Sequence, residues 1–101
     1  MTTLTRYIEL TRNEVEYLKK AGFLPLAMLE YLQTVYWKLD NRGYVEISIE
    51  VAEDFREILT EQLAKVGFDE TYELTAEGVL LEELIDRFQN RKNLFFQIKP
   101  R

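Results

Sequence analysis

Arg6-Tyr-Ile-Glu-Leu10 alternates polar and apolar residues, with Ile8 and Leu10 on one face, and reads as a short strand. Thr11 follows, with Glu14 three residues later. That is capping-box spacing, in which hydroxyl and carboxylate each satisfy a backbone N–H at a helix start. The helix it opens runs to about Lys20, where Lys19 and Lys20 suit the negative end of the helix dipole. Gly22 stops it in a left-handed cap, and Pro25 stands where a first helical turn tolerates proline.

Leu26, Leu29, Leu32, Val35, Tyr36 and Leu39 recur at three- and four-residue steps, so a second helix is expected through about Lys38. A hairpin over 35–49 competes with it. Val35-Tyr-Trp is β-branched and aromatic, and Asp-Asn-Arg-Gly at 40–43 is turn chemistry. Val45, Ile47 and Ile49 alternate with Glu46 and Ser48, which makes 44–49 the clearest strand.

From Glu50 to Val66 the apolar set Val51, Phe55, Ile58, Leu59, Leu63 and Val66 faces away from Glu53, Asp54, Glu57 and Glu61, the signature of an amphipathic helix ending at Gly67. The connector 68–74, with Phe68 and Tyr72, is expected to fold onto the core. Thr75 caps a last helix whose buried stripe is Val79, Leu81, Leu84, Ile85 and Phe88. Gly78, in its first turn, suggests close packing against a neighbour.

The fold class is therefore α+β, mostly helical. The order is β-α-α-β-α-α, with a small two-stranded or three-stranded sheet packed against four helices. The sequence divides into a single compact domain over 1–90 and a basic, aromatic tail over 91–101. All 18 acids of the 101-residue chain lie in 1–90 with nine of its 13 bases, a net −9. The tail holds Arg91, Lys92, Lys99 and Arg101 and no acid.

Composition narrows the chemistry. Cysteine and histidine are both absent, which excludes disulfides, thiolate or imidazole metal sites, and any Cys or His nucleophile or base. The acidic balance disfavours phosphate-binding surfaces. The 50–66 helix, with only Arg56 and Lys65 against its acids, would be repelled by a nucleic-acid backbone. Met1-Thr-Thr-Leu-Thr-Arg lacks the charged and apolar regions of a signal peptide, and no apolar run approaches a membrane span. A cytoplasmic protein without membrane contact is the expectation.

Two acidic groups invite a metal reading: Glu50, Glu53, Asp54 and Glu57, and Glu82, Glu83 and Asp86, each at helical spacing. The simpler reading is a solvated helix face, so no metal, cofactor or catalytic residue is assigned. No phosphate loop or nucleophile elbow is present, and an enzyme is not expected. Aromatic residues supply the candidate interface: Tyr36, Trp37 and Tyr44 beside the strand, and Leu94, Phe95, Phe96 and Ile98 in the tail. Arg91, Lys92, Lys99 and Arg101 are the candidate basic contacts. These features suit a small non-enzymatic interaction or regulatory domain of adaptor, immunity or antitoxin type, bound to a protein partner or to itself as a homodimer. The alternatives are a carboxylate-based domain binding a ligand or divalent ion, a small enzyme, and nucleic-acid contact through the tail.

Overall fold

The computed structural model describes residues 2–89 and 96–100, with the backbone alone for 2–4 and 96–100. The elements in chain order are β1 (Thr2–Thr11), α1 (Arg12–Lys20), α2 (Leu26–Leu32), β2 (Tyr36–Trp37), β3 (Arg42–Ser48), α3 (Ile49–Val66), α4 (Ala76–Gln89) and β4 (Phe96–Pro100). The fold is α+β and mostly helical, with four helices against a small antiparallel sheet. The sheet order is β2-β3-β1-β4.

The central pair is β1 with β3, antiparallel, in a register that sets Ile8 opposite Val45 and Arg6 opposite Ile47. The period of two then puts Ile8, Leu10, Val45 and Ile47 on one face, and all four are buried. Tyr7, Glu9, Tyr44 and Glu46 take the other face and keep partial exposure. The helices cover the apolar face, where Val15, Leu18, Met28, Leu32, Phe55, Leu59, Leu81, Leu84 and Phe88 complete the core. Phe55 and Phe88 stack with ring centroids 4.6 Å apart and planes 7° from parallel, which fixes α3 against α4.

The capping box at Thr11 forms as the spacing predicts. The Glu14 N–H donates to Thr11 Oγ1 at 3.2 Å, and the Thr11 N–H donates to Glu14 Oε1 at 2.8 Å. Gly22 takes φ +83°, the left-handed conformation expected after a helix end. The Gly78 N–H donates to Thr75 Oγ1 at 2.9 Å, so Thr75 caps α4. A Cβ at Gly78 would collide with the Gly67 carbonyl oxygen, which accepts the Thr75 N–H at 2.8 Å. This is the close approach its glycine suggested.

Four expectations are corrected. The second helix ends at Leu32 rather than near Lys38, and Tyr36–Trp37 is a strand paired with Gly43 and Tyr44. Here the hairpin prevails. Gln33 and Thr34 close the helix with tight N–H bonds to Glu30 and Tyr31, and Asn41 adopts φ 65° in the turn, whose ends meet through Lys38 N–H to Arg42 O at 2.8 Å. A seven-residue helix has little propagation strength of its own, so β-branched and aromatic residues beside a turn go to the sheet. Ile49 is the first residue of α3, not the last of the strand, because the Ser48 side chain accepts the Val51 N–H at 3.1 Å and starts the helix there.

The connector does not fold onto the core. Asp69 Oδ1 accepts from Thr71 N–H, the Thr71 hydroxyl and Glu73 N–H at 2.7–3.0 Å, curling the loop on itself and leaving Phe68, Tyr72 and Leu74 exposed. Val79 is also exposed, at 46%, so the buried stripe of α4 is Gly78, Leu81, Leu84 and Phe88 with Leu80 and Ile85 at its edges. Beyond the central pair, the sheet has β2 at one edge and β4 at the other. Backbone pairing of β4 with β1 runs from Thr2 opposite Pro100 to Arg6 opposite Phe96.

Candidate interaction surface

Tyr36, Trp37 and Tyr44 meet in the β2–β3 hairpin. Trp37 stands opposite Gly43 and Tyr36 opposite Tyr44. Gly43 is buried, and a Cβ there would lie 2.5 Å from Val35 Cγ1 and 2.7 Å from Trp37 Cζ3. Only glycine lets the indole lie flat across the strand. Trp37 packs against the core on its inner side. The Arg12 guanidinium lies 4.1 Å from the ring centroid, a cation–π contact that adds to this anchoring.

Tyr44 is half-buried on the outer sheet face, with the Lys38 ammonium 5.3 Å from its ring centroid. Tyr36 beside it is 67% exposed, and Leu39 at the turn is wholly exposed. The turn is braced by Arg42, whose N–H donates to Asp40 Oδ1 at 3.2 Å and whose side chain pairs with Glu9 at 3.4 Å and Asp40 at 3.5 Å. Tyr36, Trp37, Lys38, Leu39 and Asp40 together line a shallow, open depression. The result is a hairpin, packed on the core through Trp37, that turns one tyrosine and one leucine toward solvent.

The tail candidates are not brought to this surface. Phe96, Ile98 and Lys99 lie in β4, at the opposite edge of the sheet from β2. Leu94, Phe95, Arg91, Lys92 and Arg101 lie outside the described residues.

The acidic positions sort into three kinds. Glu50, Glu53, Asp54, Glu57, Glu82, Glu83 and Asp86 are exposed, and among the described residues no group of three or more carboxylates is arranged to hold a metal ion. A hydrogen bond and ion pair with Arg56 at 2.9 Å hold Glu53 below the usual carboxylate range. The Thr71 hydroxyl and the backbone N–H groups of Glu73 and Thr71 do the same for Asp69.

The third kind was missed in the sequence. Glu14 is buried, and Arg87 Nε donates to its Oε2 at 3.3 Å, joining α1 to the end of α4. The Tyr17 hydroxyl donates to Glu77 Oε2 at 2.6 Å, joining α1 to the start of α4. Burial, and after it this bond to a carboxylate, push the Tyr17 phenol up. The capping-box spacing pointed to Glu14 as a local cap, but no local signal pairs it with a residue 73 positions away.

No helix among the described residues is long and apolar enough to cross a membrane. No family model matches the chain, and neither a curated protein nor a solved structure matches it.

Proposed function

We propose that this is a non-enzymatic, cytoplasmic interaction domain that docks a protein partner on the β2–β3 hairpin. The observation that carries the reading is the exposure of Tyr36 and Leu39 on a turn whose neighbours are fixed in place. At these exposures a tyrosine and a leucine contribute little to folding. They offer apolar area, with a phenol able to hydrogen-bond, in the form that dominates protein interfaces. Tyr44, with Lys38 over its ring, stands beside Tyr36 across the strands, and Trp37 anchors the hairpin to the core from the opposite face. Asp40 and Arg42 form a charged rim that sets orientation.

Replacing both exposed residues tests this reading. Tyr36→Ser with Leu39→Ser should leave thermal stability within about 0.5 kcal/mol of the parent, since neither side chain is in the core. Capture of a discrete partner from host extract should fall by at least about tenfold, the loss of a contact worth ~1.4 kcal/mol or more. Equal capture by the two proteins would remove the hairpin from the interface.

A further inference from the structure

A second surface, independent of the hairpin, lies on the far side of the helix pair. We infer that the groove between α3 and α4 accepts a cationic amphipathic helix presented by another protein. Its walls are Thr60 and Leu63 from α3 and Glu82, Ile85 and Asp86 from α4. Leu63 and Ile85 are half-buried against the core, so each helix leaves one aliphatic side chain partly open to solvent in the groove. Glu82 and Asp86 are exposed along its rim.

Charge selects the occupant. Together α3 and α4 carry nine acids against Arg56, Lys65 and Arg87. Two of those three bases are committed: Arg56 pairs with Glu53 at 2.9 Å, and Arg87 with the buried Glu14 at 3.3 Å. Glu82 and Asp86 are the charged residues that line the groove, so its rim is negative. It repels phosphate backbones and anionic lipid, and it attracts Lys and Arg. Shape selects further. The groove offers one apolar residue from each helix and one acidic bank, on α4, and it matches a helix whose apolar side chains recur at three- and four-residue steps with bases along the flank that faces Glu82 and Asp86. A peptide with bases but no continuous apolar face would pair with Glu82 and Asp86 and leave Leu63 and Ile85 uncovered.

The test uses the full chain and a synthetic Leu/Lys amphipathic helix, with a scrambled peptide of identical composition as control. Titration should move the backbone amide resonances of Thr60, Leu63, Glu82, Ile85 and Asp86. The scrambled peptide should bind at least about tenfold more weakly, because equal charge without a continuous apolar face cannot cover Leu63 and Ile85. Glu82→Lys with Asp86→Lys, both at exposed positions, should weaken the amphipathic peptide by about tenfold or more and make its binding less sensitive to salt. Equal binding of both peptides, an unchanged affinity in the double variant, or shifts confined to the β2–β3 hairpin would each overturn the proposal. The hairpin reading is untouched by any of the first two results, since Tyr36 and Leu39 are in neither wall.

Discussion

Ile47→Asp is expected to unfold the domain. Ile47 is 2% exposed in the central pair of strands, opposite Arg6 and on the same face as Ile8 and Val45. Removing its apolar side chain forfeits about 1.5–3 kcal/mol of burial. A carboxylate in its place adds a desolvation penalty of several kcal/mol, which the Arg6 side chain on the neighbouring strand would offset only in part. The sum is comparable to the ~5–15 kcal/mol that separates a typical domain from its unfolded state. Circular dichroism should show no cooperative melt, whereas Ile47→Val should cost only about 0.5–1.5 kcal/mol. A cooperative Ile47→Asp transition at the parental temperature would mean that β3 is not central to the core.

The second large effect is expected at Glu14. Its carboxylate accepts the Thr11 N–H and the Arg87 guanidinium from inside the fold, with a side-chain exposure of 3% against 25% for Arg87. Glu14→Ala strips the cap and leaves the cation without its anion. Breaking a buried pair on one side costs about 3–5 kcal/mol, and the partial exposure of Arg87 places this case near the lower figure. Glu14→Gln keeps an acceptor at the capping position and should cost clearly less. Urea unfolding of the two variants gives the comparison. A change below about 0.5 kcal/mol for Glu14→Ala would show that the contact between α1 and α4 carries no weight.

The elements that the sequence made legible are those in which period and capping chemistry agree. The β1 and β3 cores, the Thr11 box, Thr75 at the start of α4, and the long apolar stripe of α3 all belong here. Legibility failed where a period arose by coincidence. Leu32, Val35, Tyr36 and Leu39 keep helical spacing across a boundary that Asn41, Gly43 and the extended preference of Tyr36-Trp37 impose. Periodicity reports a repeating apolar face, and it does not report where the backbone changes state. Phe68 and Tyr72 failed for another reason. Aromatic composition suggested burial, while the three bonds to Asp69 close the loop locally and turn its rings outward.

The candidate surface was half legible. Tyr36, Trp37 and Tyr44 were singled out as aromatic residues near a strand, and the hairpin explains why they meet. Leu39 was read as the end of a helical stripe, and only the turn geometry reveals it as the most exposed apolar residue of the hairpin. The contact of Arg12 with Trp37 and the pairing of Glu14 with Arg87 depend on the tertiary arrangement, so no short-range pattern contains them.

Photo-crosslinking from the hairpin tip tests the docking claim most directly. A photoreactive phenylalanine at position 39 is compared, in the native host, with the same group at exposed Glu70 in the α3–α4 loop. The hairpin reading predicts one discrete protein adduct from position 39 that is lost when Tyr36→Ser is added, and no such adduct from position 70. No adduct from position 39, or the same adducts from both positions, would contradict it.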